Sequence, residues 1–126
     1  MSHIVIVKTQ FHNLEMIVKA AQARGCTTIV CGKHEVELYE RKVQGDASFK
    51  LPGWQYPIVI DTGAGEAFYD HFNGRWGDIT EFNRFNQEYI LQVAAVELEE
   101  EYRLQGYTLQ RLTLKNGDVQ LVAVLP

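Results

Sequence analysis

Residues 78–106 read DITEFNRFNQEYILQVAAVELEEEYRLQG and contain the longest helical pattern in the chain. Asp78 and Glu81 have the spacing of a capping box, in which each side chain bonds to a free amide at the start of the helix. Apolar side chains then recur at helical spacing, namely Phe82, Phe85, Tyr89, Val93 and Val96. Gly106 ends the pattern, so these residues predict one long helix of about 27 residues.

Two shorter elements precede this helix in the first part of the chain. Ile4–Thr9 is a mostly β-branched apolar run, which predicts a central strand buried on both faces. Asn13 can cap a first helix, because its side chain accepts hydrogen bonds from free amides. Gly25 supplies the end of that helix.

Turn residues divide the remaining segments into strands. Gly32 and the pair Gly45–Asp46 predict turns between strands. Asn116–Gly117 lies between two apolar stretches, Leu109–Leu114 and Val119–Leu125, which predicts a hairpin with a two-residue type I′ turn. This is the strongest local signal in the sequence.

The elements follow the order strand, helix, four strands, long helix and hairpin. This order lacks the βαβ alternation of a Rossmann fold and favours helices packed on a mainly antiparallel sheet. We therefore predict an α+β fold with one domain over residues 1–126. In it, a curved sheet of about seven strands surrounds the long helix, and a ferredoxin-like split βαβ fold is the alternative.

The composition excludes several classes of partner. The net charge is −4 and the basic residues are scattered, so we expect no binding to nucleic acid. Every apolar run is far shorter than the ~20 residues that span a bilayer, so we expect no membrane segment. Met1–Ile4 does not begin a secretory signal, and we expect a cytoplasmic protein.

The residues that could carry chemistry form no recognisable catalytic or metal set. Cys26, Cys31 and His34 supply three ligands at a spacing that does not match the four ligands of a structural zinc site. Ser2 and Ser48 are the only serines, and neither lies in a Gly-x-Ser-x-Gly motif. We assign no catalytic residue, no metal and no cofactor, and we favour a protein that is not an enzyme.

Aromatic, cationic and imidazole side chains are concentrated between Tyr69 and Trp76. One hypothesis is an accessory or protein-interaction domain, whose partner surface is the turn around Arg75 and Trp76 together with the exposed side of the long helix. The alternative is a small-molecule-binding domain or minor enzyme, with a pocket between the sheet and the long helix. The predicted binding residues are Tyr69, His71, Arg75, Trp76 and Gln87.

Six aromatic side chains are candidates for an exposed aromatic patch. Burial in the core between the helices and the sheet is the alternative for most of them. They are Trp54, Tyr56, Phe68, Tyr69, Phe72 and Trp76.

Short motifs along the chain carry a family resemblance. The first are Met1–Ile4, Val7–Thr9 and Asn13–Glu15. The later ones are Trp76–Gly77, Phe82, Gln87, Tyr89, Gly106 and Asn116–Gly117. Together they resemble the uncharacterised family called hypothetical chloroplast reading frame thirty-five, found in cyanobacteria, algal plastids and other bacteria. The resemblance covers nearly the whole chain, and residues 26–57 depart from it most.

The resemblance implies an accessory role rather than a defined reaction. That family has no established activity, and its genes are associated with those of an AAA-type ATPase and of small ferredoxin-like proteins. It implies one of these proteins as a partner, and it transfers no catalytic residue to this chain. Two cysteines are too few for an iron–sulfur cluster of the chain's own. The sequence leaves the formation of a homo-oligomer open.

Overall fold

The structure is a computed structural model that describes residues 4–8, 10–106, 108–115 and 119–124. The chain forms two units, residues 1–89 and residues 90–126. In chain order the elements are β1 (Val5–Val7), α1 (Leu14–Ala23), β2 (Ile29–Leu38), β3 (Arg41–Phe49), β4 (Ile58–Asp61), β5 (Glu66–Tyr69), a 3-10 turn (Phe72–Gly74), α2 (Ile79–Leu104), β6 (Thr108–Thr113) and β7 (Val119–Val124).

The first unit contains an antiparallel sheet of five strands in the order β1-β5-β4-β3-β2. The α+β class and the two helices, the second long, agree with the prediction. The prediction of one sheet with about seven strands is wrong, because β6 and β7 form a separate two-stranded sheet in the described part of the chain. The hairpin signal identified the partners of these strands correctly, but a local signal cannot show which sheet a hairpin joins.

β1 is an edge strand, so its predicted central position is wrong. Among the described strands its one partner is β5, with Val5 opposite Tyr69 and Val7 opposite Ala67. Ile6, on the other face of the strand, is 52% exposed. A short apolar run predicts a strand without showing whether a neighbour lies on each side of it.

Both helices begin after a polar side chain, but only one of the two caps is as predicted. Asn13 caps α1 by accepting a hydrogen bond from the Met16 amide at 3.2 Å, which confirms the prediction. Asp78 accepts from the Thr80 amide at 2.9 Å. The Glu81 carboxylate binds the Arg24 guanidinium at 3.2 Å, so the capping box is wrong. In the bond to arginine both the donor and the acceptor are charged, whereas in a capping box only the carboxylate is.

Aromatic rings join the first part of α2 to one face of the five-stranded sheet. The contacts are Phe85 with Phe49 (4.7 Å between ring centroids), Phe82 with Tyr69 (4.7 Å) and Tyr89 with Phe11 (4.9 Å). All six rings are buried. Burial of large rings contributes most of the stabilisation of a core of this size, so these contacts fix α2 on the sheet.

The outer part of the β2–β3 hairpin lies over the opposite face of the sheet. Residues 41–44 of β3 line a cavity of about 220 Å³ together with Ile4, Ile6 and Phe68. The bend follows a bulge in β2, where the register shifts between Cys31 and His34. Gly32 and Gly45–Asp46 therefore lie inside strands, and the predicted turns at these positions are wrong. Glycine marks a bulge as readily as a turn.

In the second unit β6 and β7 pair in antiparallel register, with Thr108 opposite Val124 and Thr113 opposite Val119. This confirms the predicted hairpin. The predicted type I′ turn at Asn116–Gly117 lies outside the described residues.

Candidate functional site

A strained turn after β5 presents the side chains of the site. Phe72 and Asn73 have φ angles of 44° and 52°, which non-glycine residues rarely adopt. The buried Asp70 carboxylate accepts a hydrogen bond from the Phe72 amide at 3.1 Å. The His71 carbonyl accepts from the amides of Gly74 and Trp76, both at 3.0 Å. These bonds hold the turn in its strained conformation.

Four half-buried rings meet around Trp76, and we call them, together with Arg75, the aromatic surface. The distances from the Trp76 ring centroid are 4.7 Å to Phe72, 4.9 Å to Tyr39 and 5.2 Å to Tyr56. Arg75 is exposed, and its guanidinium carbon lies 5.0 Å from the Phe72 ring centroid. The turn, the tip of the β2–β3 hairpin and the segment before β4 thus contribute to one surface.

Tyr69 and His71 lie together, with Tyr69 buried in the core and His71 half-buried. Tyr69 is only 4% exposed, and burial raises the pKa of its hydroxyl above the ordinary value of 10.0. Its ring contacts the imidazole of His71 at 5.4 Å. His71 also stacks on the buried Trp54 indole at 6.4 Å. Tyr69 therefore packs against His71 of the turn from the core and does not face solvent.

Gln87 lies apart from the other predicted binding residues. Its side chain is exposed on α2. It makes no described hydrogen bond with Tyr69, His71, Arg75 or Trp76. None of these five residues lines the two cavities described in the first unit. The structure thus brings together Arg75 with Trp76 and Tyr69 with His71.

The six candidate aromatics divide between the core and the surface. Tyr56, Phe72 and Trp76 belong to the aromatic surface, whereas Trp54 and Tyr69 are buried. Gly77 allows the Trp54 indole to lie on the backbone, since a Cβ atom at this position would be 2.2 Å from its ring. Phe68 is half-buried beside the small cavity under the β2–β3 hairpin.

Tyr39 is the member of the site that the sequence did not reveal. It follows the alternating strand that contains Val36 and Leu38, a pattern that suggests a core side chain. The bend of the hairpin carries it to Trp76 instead. Its neighbour Glu40 has a φ angle of 58° in the turn between β2 and β3, a conformation that a glutamate does not signal in a sequence.

The cysteines and histidines do not form a metal site in the described part of the chain, where no group of three or more His, Cys, Asp or Glu side chains could hold an ion. Cys26 is buried and donates to the Lys50 carbonyl at 3.4 Å. Cys31 is exposed. His34 bonds to the Gly32 carbonyl at 2.5 Å and to the Ser48 hydroxyl at 2.7 Å.

Comparison with known proteins adds no identification. No family model, curated protein or solved structure matches the chain. The resemblance to the hypothetical chloroplast reading frame thirty-five family therefore stays a prediction. Among the described helices, none combines the length and the apolar character needed to cross a bilayer.

Proposed function

We propose that this protein is a small non-enzymatic accessory domain that binds a partner protein through the aromatic surface. The observation that carries the proposal is the cluster of four half-buried rings beside an exposed arginine. Trp, Tyr and Arg are the residues most enriched among those that dominate binding energy at protein interfaces. Half-buried rings offer apolar area at a small cost in conformational entropy, because packing already fixes them.

Arg75 supports the same proposal through its geometry. The guanidinium carbon lies over the Phe72 ring, and this attraction between a cation and a ring uses none of the N–H donors in a hydrogen bond. Arg75 forms no ion pair with another described residue. Its donors therefore stay available for a carboxylate of a partner, as a charge-assisted hydrogen bond requires.

The strained turn is a second support. A left-handed conformation costs about 1–3 kcal/mol at a non-glycine residue and persists where the surroundings impose it, often at functional sites. Here it places the Phe72 ring in contact with both Arg75 and Trp76. Asp70 and the His71 carbonyl hold that placement.

The family resemblance supplies the nature of the partner. It implies an AAA-type ATPase or a small ferredoxin-like protein, and we propose that the complex forms in the cytoplasm. Nucleic acid is a poor alternative, because the net charge of −4 opposes a phosphate backbone.

The test is an affinity capture of the tagged protein from an extract of its native cells, with the captured proteins identified by mass spectrometry. Arg75→Glu leaves the rings packed and should lower capture of the partner about tenfold or more. Trp76→Ala should abolish capture, with folding checked by circular dichroism. Lys8→Glu reverses the charge of an exposed lysine that does not belong to the aromatic surface, so it should bind as the wild type does.

Two results would contradict the proposal. One is the absence of any specific partner for the wild-type protein. The other is equal capture by the wild type, Arg75→Glu and a folded Trp76→Ala variant.

A further inference from the structure

A polar cavity of about 610 Å³ lies in the first unit, where the bulge of β2 meets β3 and the end of β4. This volume is within the range of roughly 300–1,000 Å³ that small-molecule sites occupy. Its polar lining includes Lys33, Glu35, Asp46, Asp61 and Thr62. We call it the polar cavity. It is separate from the aromatic surface and shares no residue with it.

The backbone around the polar cavity has two unusual features. β2 bulges between Cys31 and His34, and bulges occur often beside functional sites. Gly45 packs so closely on β4 that a Cβ atom there would lie 2.6 Å from the Cγ1 atom of Val59. Only glycine allows β3 to approach β4 in this way and then turn over the sheet.

Two carboxylates line this cavity, those of Asp46 and Asp61. Asp46 precedes Ala47, whose partner in β4 is Ile60, and its side chain bonds to Thr62, the residue after Asp61. Like charges that lie close together repel one another. Both residues are half-buried, and neither has a Lys, Arg or His partner among the described ion pairs. A cation between them would remove this repulsion.

Hydrogen bonds fix both carboxylates before any ligand arrives. Asp46 accepts from the Thr62 amide at 2.8 Å and from the Thr62 hydroxyl. One oxygen of Asp61 accepts from the amides of Gly63 and Ala64, at 3.0 Å and 3.3 Å. These neutral donors orient the carboxylates and leave their charge without a counterion. A site whose charged groups are already oriented loses little entropy when it binds.

We propose that the polar cavity binds a small organic ammonium ion, with Asp46 and Asp61 as the groups that receive it. A single metal ion fits less well, because no three described His, Cys, Asp or Glu side chains lie close enough together to hold one. An amine donates hydrogen bonds to two separate carboxylates, and its carbon chain can fill the volume. Glu35 is already paired with Lys42 at 3.6 Å, and so it contributes less.

His34 forms part of the wall and does not act as a base. Its Nδ1 donates to the Gly32 carbonyl, and its Nε2 shares a hydrogen bond with the Ser48 hydroxyl. Because both ring nitrogens have partners, neither is free to take a proton from a ligand. The polar cavity is therefore a binding site in this proposal, without a reaction step.

The test is a titration of the full-length, ¹⁵N-labelled protein with putrescine, a linear diamine, at constant ionic strength. The neutral diol of the same chain length is the matched control ligand. Putrescine should shift the amide resonances of Gly45, Thr62 and Gly63 saturably, and the diol should not. Asp46→Asn should weaken binding about tenfold or more, because it removes one charge and keeps the size of the side chain.

A second variant and a control complete the design. Asp61→Asn should weaken putrescine binding in the same way. If Asp46→Asn does not fold, the affinity of Asp61→Asn for putrescine tests the proposal. Glu37→Gln removes an exposed carboxylate of β2 that does not line the polar cavity, and it should bind as the wild type does. The proposal is overturned by a lack of saturable shifts, by equal shifts with the diol, or by unchanged affinity in the folded asparagine variants. None of these results bears on the aromatic surface.

Discussion

At the scale of single residues, the thiol of Cys26 links burial to the pH dependence of stability. Burial raises the pKa of this thiol above its ordinary value of 9.0, and the nearby Glu81 carboxylate raises it further, while Arg24 opposes them. The unfolded thiol therefore ionises at a lower pH than the folded one. The neutral Cys26 thiol therefore favours the folded state fully at neutral pH. This contribution to the free energy of unfolding is lost as the pH rises through the ordinary thiol pKa of 9.0 and above it.

We expect the free energy of unfolding of the wild type to fall more steeply from about pH 8 to about pH 10 than that of Cys26→Ala, because one unit of pKa difference corresponds to about 1.4 kcal/mol. Urea denaturation at several pH values measures both slopes. Cys31→Ala is the control, since Cys31 is exposed and its loss should leave the wild-type slope. Parallel curves for the wild type and Cys26→Ala would contradict this account.

At the scale of elements, an ion pair between the end of α1 and the start of α2 stabilises the first unit. The Arg24 and Glu81 side chains are only 27% and 21% exposed, and their closest atoms are 3.2 Å apart. Glu81→Gln should lower the free energy of unfolding by about 1–2 kcal/mol, because it leaves the arginine half-buried without its counterion. Urea denaturation at neutral pH measures this loss.

Another pair of the same kind is the matched control. Arg103 and Glu100 are 2.6 Å apart, but their side chains are 72% and 57% exposed. Glu100→Gln should change stability little, because water and salt screen an exposed pair. Equal losses in the two variants would show that burial does not set the strength of the Arg24–Glu81 pair.

The sequence predicted those elements whose signals are local. Asn13 caps α1 as expected, and α2 runs from Ile79 to Leu104. Prediction from the sequence failed where the same residue type is compatible with two different local structures. Gly32 and Gly45 indicated turns, but long-range pairing with neighbouring strands made them parts of a bulged strand and of a close strand contact. The Glu81 carboxylate could likewise have bonded to the amide at the start of its own helix, but it pairs with Arg24, which is distant in the sequence.

The candidate site was predictable to the same extent. Arg75 and Trp76 were found together because one turn carries both. Tyr39 was missed because its contact with Trp76 depends on the bend of a hairpin, which a bulge far from Tyr39 makes possible. The meeting of Asp46 and Asp61 at one cavity was missed as well, because neither strand segment alone shows the register in which the two strands pair.

At the scale of the whole molecule, exposed apolar side chains are distributed unevenly. Among the described residues ten large hydrophobic side chains are exposed, and eight of them lie in residues 90–124. Leu112, Val122 and Val124 share one face of the β6–β7 hairpin, according to its register. A two-stranded hairpin is only marginally stable in water by itself. Covering this face would therefore stabilise the second unit.

We accordingly expect the protein to self-associate, which the sequence left open. Multi-angle light scattering after size-exclusion chromatography should give a mass above the 14.4 kDa of one chain, increasing with concentration. Leu112→Lys and Val122→Lys should each return the protein to 14.4 kDa, because a charge on this face opposes its burial. Val30→Lys, at an exposed apolar position of β2, should associate as the wild type does. A wild-type mass of 14.4 kDa at every concentration would show that the face of β6–β7 is not covered by a second copy of the chain.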